Sequence, residues 1–204
     1  MSSFRARKIE KKKQEIMRSA ATVLAEKGYN GTTMEEIAAK LLMTKGSMYY
    51  YFKNKDDLLY QCNQMIMEIS LDRIEKVVNS DLNPIEKLRN ALKGHILLAT
   101  SEKSMFMVMG KPNQNFSDLQ LQEILKLRRS YSLYFDKILT EGIEKQVFDH
   151  VDVKMVRMII LGALNWIQEW YDQSGPQSAD EISDSFASYL LKMVVKKEKK
   201  NPKN

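Results

Sequence analysis

The chain has 204 residues, of which 44% are hydrophobic and 28% are charged, with only 8 Gly and 4 Pro. This composition excludes wholesale disorder and disfavours a chain of many short strands and turns, so it favours helices. No apolar run reaches the roughly 18 to 20 residues that a membrane span requires. The single cysteine, Cys62, cannot form an intramolecular disulfide. We therefore expect a soluble, cytoplasmic, all-α protein that does not associate with a membrane.

The charge is distributed unevenly along the chain. Residues 1–60 carry 12 basic and 7 acidic side chains, residues 61–190 carry 14 and 18, and residues 191–204 carry 6 and 1. A basic segment is thus joined to a mildly acidic body, which indicates a polyanionic partner for the basic N-terminal end. For the Lys-rich C-terminal tail we favour a solvated fringe, since such runs usually have that role.

The first 55 residues have the pattern of three helices. An apolar stripe predicts a helix over 5–27, which Gly28 ends. Thr33 and Glu36 have the spacing of a capping box at the start of a short helix over 34–41. Thr44 is a candidate N-cap for another short helix over 45–52. Two short helices at this separation indicate either a helix-turn-helix or a generic three-helix bundle, and the basic charge favours the former.

The remaining pattern predicts six further helices, over 56–78, 84–101, 104–109, 118–143, 155–171 and 179–195. This gives about nine helices in total, with a loop around 110–113. The segment 155–171 is apolar on more than one face, so we expect it to be buried on two sides.

The ordered sequence Gly-Tyr-Asn-Gly-Thr-Thr over 28–33, followed by Thr-Lys-Gly-Ser-Met-Tyr-Tyr-Tyr-Phe-Lys-Asn-Lys-Asp-Asp-Leu-Leu over 44–59, resembles the DNA-binding domain of the TetR family of bacterial transcriptional regulators. The turn between the two short helices departs from the common Ala-Gly-Val of that family, because it reads Leu41-Leu42-Met43. Without a glycine there, the turn needs another geometry or a strained Leu42. Tyr51 stands where many members have His.

The resemblance implies a DNA-reading role for the second short helix. Lys45 and Ser47 are donors for base edges or phosphates, and Gly46 permits close approach of the backbone. The full set of implied DNA contacts is Thr33, Thr44, Lys45, Gly46, Ser47, Tyr49, Tyr50 and Lys55. We expect Met48 and Phe52 on the core face. Arg5, Arg7 and Lys8 are either an arm along the duplex or a frayed, solvated helix start.

The resemblance also implies a division of the chain. Residues 1–55 would bind DNA, 56–195 would bind an effector and dimerise, and 196–204 would form a basic, disordered tail. A weaker similarity, over 161–166 and Trp170-Tyr171, is to a branch that responds to acyl-CoA thioesters in fatty-acid and sterol metabolism. The effector would be small and hydrophobic, and the candidate ligand residues are Met65, Met105, Met109, Arg128 and Trp166. The alternatives are core filling for each methionine and a surface ion pair for Arg128.

The last two predicted helices are the natural dimer face, since the 155–171 segment has more apolar surface than its own core can cover. The candidate interface residues are Trp166, Trp170, Phe186, Tyr189 and Met193.

No enzyme signature is present in the sequence. His95 and His150 are far apart without a metal-ligand cluster, and we find no P-loop and no G-x-S-x-G. We therefore expect no catalytic residue, no metal and no cofactor. The function indicated is a ligand-responsive repressor that binds a palindromic, double-stranded DNA operator as a homodimer. The alternative is a helical adaptor that binds protein or anionic surfaces without sequence-specific DNA readout.

Overall fold

The computed structural model describes residues 2–109 and 116–196. Within these residues the chain forms ten helices, and the β-structure consists of one antiparallel bridge between Phe148 and Val195. The helices are α1 (Ser2–Lys27), α2 (Met34–Lys40), α3 (Lys45–Tyr51), α4 (Lys55–Val78), α5 (Pro84–Ser101), α6 (Lys103–Met109), α7 (Asp118–Glu144), α8 (Val153–Asn165), α9 (Ile167–Trp170) and α10 (Ala179–Leu191). The predicted all-α class is confirmed.

One predicted helix differs from the structure. The segment 155–171 is divided at Trp166 into α8 and the four-residue α9. In α8, Val156, Ile160 and Leu164 are buried, whereas Met158 is exposed. The prediction that this segment is buried on two sides is therefore wrong for the single chain. The reason is that α8 packs on α5 with one face and has no neighbour over its exposed apolar residues in the described part of the chain.

The chain divides into two compact units. Unit 1 comprises Met1–Ile69 and Glu102–Arg128, and unit 2 comprises Ser70–Ser101 and Arg129–Asn204, in each case over the described residues. Helices α4 and α7 contribute residues to both units. The functional division after residue 55 stays a prediction. The predicted loop at 110–113 and the tail beyond Lys196 lie outside the described residues.

In unit 1, α1 packs against α6 and α2. Its buried face includes Ile16, Ala20 and Leu24, which matches the apolar stripe of the sequence. Gly28 ends the helix with φ +76°, a backbone conformation that glycine adopts without a Cβ clash, and its amide donates to the Leu24 carbonyl over 2.9 Å. The local sequence therefore fixes where α1 ends.

In unit 2, α5 is the central helix, since it packs against α8, α9 and α10. It buries one charged side chain, Lys87, whose ammonium lies 3.0 Å from the Glu141 carboxylate. Glu141 also accepts from Lys145 over 2.7 Å. A buried ammonium requires such a partner, because an unpaired charge in this position would destabilise the fold.

Candidate nucleic-acid interface and internal cavity

Helix α3 is held by two residues of its inner face. Met48 is fully buried and Phe52, which follows the last residue of α3, is 1% exposed. Residues four apart lie on the same side of a helix, so these two anchors turn the opposite side outward. Tyr49 and Tyr50 are on that outer side and are 41% and 67% exposed. The expectation that Met48 and Phe52 face the core is confirmed.

The first turn of α3 is organised by Thr44. The Ser47 amide donates to Thr44 Oγ1 over 3.1 Å, as an N-cap requires. The Thr44 hydroxyl in turn donates to Ser47 Oγ over 2.9 Å. Between them, Gly46 is exposed, and a Cβ at this position would meet no atom within 4 Å. The start of α3 therefore presents two hydroxyl groups and an open stretch of backbone to solvent.

Lys45 is not an isolated cation. Its Nζ lies 2.7 Å from Glu35 Oε1, in the first turn of α2. The same ammonium is 5.7 Å from the centroid of the Tyr49 ring, close enough for a cation–π contact. The hydrogen bond from Lys45 lowers the pKa of the Glu35 carboxyl. Lys45 and Tyr49 are identifiable from the sequence, whereas Glu35 is not, because the pairing depends on how α2 and α3 pack.

The turn between α2 and α3 contains a strained leucine. Leu42 has φ 53° and is 96% exposed. The left-handed conformation allows the Leu42 amide to donate to Ala39 O over 3.1 Å and the Met43 amide to donate to Ala38 O over 2.8 Å, which satisfies carbonyls at the end of α2. The sequence predicted either another turn geometry or a strained Leu42, and the structure has the strained Leu42.

Thr33 begins α2 in the predicted capping box. Its side chain accepts from the Glu36 amide over 3.2 Å, and its own amide donates to Glu36 Oε2 over 2.8 Å. Both residues are exposed at the N-terminus of α2. The capping box is thereby confirmed, while the phosphate contact expected from Thr33 stays a prediction.

Lys55 has a structural role that its sequence position does not reveal. Its Nζ donates to the carbonyls of Tyr29 and Thr32, each over 2.6 Å, and lies 4.0 Å from the Tyr29 ring centroid. The phenol of Tyr29 donates to Asp56. Lys55 thus ties the start of α4 to the turn between α1 and α2. A phosphate contact from the same ammonium stays a prediction.

A basic groove lies between the start of α1 and the end of α3. We use this name for the groove whose walls include Arg5, Lys8, Lys11 and Lys12 of α1 and Tyr50 and Tyr51 of α3. The rings of these two tyrosines meet edge to face, with centroids 5.0 Å apart. Arg5, Arg7 and Lys8 are helical, so the candidate arm is a helical extension of α1. Cations beside aromatic rings are the side chains that suit a nucleic-acid backbone.

Four of the five candidate ligand residues lie in unit 1. Met65 of α4 and Met105 of α6 are buried, and Met109 at the end of α6 is half-buried. Arg128 of α7 donates through Nη2 to the Met109 carbonyl, and its buried Nε has no hydrogen-bond partner among the described residues. Burial lowers the pKa of this guanidinium. Arg128 is thus a half-buried cation and not a paired surface arginine.

A separate cavity of about 30 Å³ lies inside unit 2. Its lining comes from α4, α5 and α7 and includes Ser70, Ile74, Gly94, His95, Leu98 and Tyr131. The Tyr131 hydroxyl lies 2.9 Å from His95 Nδ1. Burial lowers the pKa of His95 to about 4 and raises the pKa of Tyr131, so both groups are neutral near pH 7. The lining therefore combines apolar side chains and this neutral polar pair with Ser70, Asn90 and the exposed Arg73.

None of the five candidate ligand residues lines this cavity. The signal that could have located it is Gly94, an isolated glycine within a helical pattern. A Cβ at Gly94 would meet no atom within 4 Å, so the missing side chain contributes to the space.

Helices α8 to α10 expose an unusual amount of apolar surface. Trp166 is 64% exposed, Tyr189 69%, Trp170 44% and Met193 39%. Phe186 is half-buried and stacks on Trp170, with ring centroids 6.0 Å apart. Exposed apolar residues also occur on α8 at Met155, Met158 and Ile159. Exposed apolar side chains on successive helices are typical of a protein–protein interface.

Comparison with known proteins agrees with this geometry. Residues 16–62 match the family model described as bacterial regulatory proteins of the tetR family, and residues 81–194 match the tetracyclin repressor-like C-terminal domain. The chain is 30% identical to the fatty acid metabolism regulator protein of Bacillus subtilis, over 91% of this chain and 97% of that protein.

Two solved structures share the fold. The ketosteroid transcriptional regulator KstR2 of Mycobacterium tuberculosis superposes with a TM-score of 0.84 at 21% identity, over 91% of this chain and 96% of that chain. AibR, in complex with isovaleryl coenzyme A and operator DNA, superposes with a TM-score of 0.78 at 24% identity, over 88% of this chain and 97% of that chain.

The fold, the capped helices α2 and α3 and the matched models define a helix-turn-helix transcriptional regulator. The chain belongs to the TetR family of bacterial transcriptional regulators. Its family and relatives are regulators and not enzymes. In the described part of the chain, no helix is both long enough and apolar enough to cross a membrane.

Proposed function

We propose that this protein is a repressor that binds a palindromic DNA operator as a homodimer and is released from it by a small hydrophobic effector. The observation that carries the proposal is the orientation of α3. Because Met48 and Phe52 are anchored in the core, Lys45, Tyr49 and Tyr50 face solvent together. Side chains of this kind on one short helix are suited to the edges of bases in a major groove.

The surroundings of α3 support a duplex as the partner. We propose that the hydroxyl groups of the exposed Thr33 and Thr44, each at the start of a short helix, donate to phosphate oxygens. The open backbone at Gly46 leaves room for close approach. The basic groove adds four cations beside α3, of which Lys12 lies 3.6 Å from the Glu15 carboxylate of the same groove. Neutralisation of phosphates by such cations supplies much of the affinity of DNA-binding proteins.

A second copy of the chain is the partner we propose for α8 to α10. One helix-turn-helix contacts a single half-site, whereas a dimer reads two half-sites about 34 to 36 Å apart. The exposed Trp166, Trp170, Tyr189 and Met193, with the half-buried Phe186, supply the aromatic and thioether groups that anchor such interfaces. This arrangement also explains why α8 carries apolar residues on the side that its own chain leaves uncovered.

An acyl-CoA thioester is the effector we propose. The Bacillus relative is named for fatty-acid metabolism, and AibR is solved with isovaleryl coenzyme A. In this chain, the cavity of unit 2 has an apolar wall for a hydrocarbon chain, and the exposed Arg73 lines the same cavity as a cation for an anionic group. A cavity of about 30 Å³ must widen to admit a chain, which would couple binding to a conformational change. The unit 1 residues Met65, Met105, Met109 and Arg128, together with Trp166 of unit 2, stay candidate contacts.

The test is selection from random duplex DNA at physiological salt with the purified protein. We expect one palindromic sequence to be enriched, and we expect Lys45→Ala and Tyr49→Ala to lose that preference while they remain folded. Lys40→Ala, which removes an exposed lysine from the last turn of α2, is the matched control and should retain it.

A folded, dimeric protein that enriches no sequence would contradict the proposal and would favour an adaptor for anionic surfaces. With the operator in hand, long-chain acyl-CoA should release the DNA and short polar thioesters should not. If neither class of thioester releases the DNA, the proposed effector is contradicted but the proposed DNA binding is not.

A further inference from the structure

Glu35 stands out among the residues around α3 because its charge opposes DNA. It lies in the first turn of α2, and its side chain is 50% exposed. A carboxylate beside a phosphate backbone weakens binding by like-charge repulsion. Acidic residues are favourable at a helix N-terminus, but Glu36 already supplies that interaction in the capping box. Glu35 instead reaches Lys45 on the next helix.

The pair it forms presents a donor and an acceptor side by side. Lys45 Nζ and Glu35 Oε1 are 2.7 Å apart, and the lysine side chain is 68% exposed. The Tyr49 ring, 5.7 Å from the ammonium, limits the directions in which the lysine can turn. In the major groove a G·C pair shows the acceptors O6 and N7 on guanine and the N4 amine donor on cytosine. Lysine to guanine and glutamate to cytosine are the matching contacts.

We propose that Glu35 is a specificity-determining residue, which reads one G·C base pair per half-site together with Lys45 and restrains Lys45 from phosphates on other DNA. On a non-operator duplex the ion pair persists, so the lysine adds little to phosphate binding. On the operator the ammonium turns to guanine, and the carboxylate accepts from the cytosine amine. This inference rests on the proposed function, since it presupposes that α3 enters the major groove.

The proposal is tested with Glu35→Ala and with Glu35→Gln, which keeps the size of the side chain. Glu26→Ala, which removes an exposed carboxylate from α1, is the control for the loss of one negative charge. Affinity for the selected operator, for operators changed one base pair at a time and for random duplex is measured across a salt series.

Glu35→Ala should bind random duplex more tightly. An exposed ion pair shifts an equilibrium by a factor of about 1.4 to 5, so two copies in a dimer shift it by about 2- to 30-fold. The slope of log K against log salt should become steeper by about 0.9 for each lysine that gains a phosphate. The preference for G·C at one position of each half-site should fall, and in a Lys45→Ala background the substitution of Glu35 should no longer steepen the salt dependence.

Two results distinguish a failure of the proposed function from a failure of the role proposed for Glu35. If the wild-type protein enriches no sequence, the proposed function itself fails. If the wild-type protein enriches a palindrome but both Glu35 variants keep its base preference and behave like Glu26→Ala, the role of Glu35 alone is overturned.

Discussion

The hydroxyl group of Tyr131 lies 2.9 Å from Nδ1 of His95, at the wall of the cavity in unit 2. Both residues are buried, so the imidazole is held in its neutral form, and burial lowers its pKa from the usual 6.5 to about 4. A neutral imidazole can either donate to or accept from a phenol, but a protonated one can only donate.

This pair makes stability dependent on pH. Between pH 6.5 and about 4 the unfolded chain binds a proton at His95 and the folded chain does not. The free energy of unfolding therefore has its full value above pH 6.5. It decreases by at most about 3 kcal/mol as the pH falls towards 4. Urea unfolding at a series of pH values should show a shallower decline for His95→Gln. His150→Gln, at an exposed histidine, should decline like the wild type, and an equal decline in all three proteins would contradict the assignment.

A methyl group in the cavity should raise the stability of the protein and weaken its response to the effector. Gly94→Ala places a methyl group where no atom lies within 4 Å, and replacing glycine inside a helix stabilises by about 0.5 to 1 kcal/mol. We expect a higher midpoint of thermal unfolding, unchanged operator affinity and a higher acyl-CoA concentration for half-release. Arg89→Ala, at an exposed position of the same helix outside the cavity lining, is the control. An unaltered effector response in the stabilised Gly94→Ala variant would place the effector elsewhere.

A methyl group at the start of α3 should act on DNA binding and not on folding. The Cβ of Gly46→Ala would meet no atom within 4 Å in the free protein, and alanine has the higher helix propensity. If the backbone approaches the duplex closely, the variant should be at least as stable as the wild type but bind the operator about tenfold more weakly, a loss of about 1.4 kcal/mol. Thermal unfolding and a binding titration measure the two quantities. Operator affinity equal to that of the wild type would show that this turn stays away from the DNA.

Replacing Leu42 with glycine should relieve the backbone strain of the left-handed conformation at this position. With φ 53° and a side chain that is 96% exposed, the residue has an unfavourable conformation and little burial to lose. Leu42→Gly removes a Cβ clash of about 1 to 2 kcal/mol and adds up to about 1 kcal/mol of backbone entropy cost. We therefore expect a net gain in the free energy of unfolding of about 0 to 2 kcal/mol, measured by denaturant titration. Leu42→Ala keeps both the Cβ and the strain, so it serves as the control and should be close to neutral; a Leu42→Gly variant less stable than Leu42→Ala would disprove the strain.

The dimer face can be tested at a glycine within it. Gly162 is exposed on α8, and a Cβ there would meet no atom of its own chain within 4 Å. Glycine at an exposed interior helix position costs about 1 kcal/mol relative to alanine, and a closely approaching second copy would account for it. Gly162→Gln should therefore fold at least as well as the wild type but sediment as a monomer. Trp166→Glu, which places a charge at the exposed tryptophan, should have the same effect. Intact dimers in both variants would refute this face as the interface.

The sequence alone determined the features that depend on neighbouring residues. The capping box of Thr33 and Glu36, the N-cap at Thr44 and the end of α1 at Gly28 follow from groups three or four positions apart. The turn at Leu42 belongs to the same class, because a missing glycine leaves only a few backbone geometries. For this reason the family and the all-α class could be predicted from the sequence.

The tertiary structure decided the contacts between residues distant in sequence. Lys55 meets the carbonyls of Tyr29 and Thr32, and His95 meets Tyr131, only after helices from separate parts of the chain have packed. The cavity beside Gly94 likewise exists only because helices α4, α5 and α7 leave a gap, and a glycine within a helical pattern does not by itself specify one. Helix periodicity reports which side of a helix is apolar, whereas what covers that side depends on the packing of the whole chain and, for α8, on what lies beyond it.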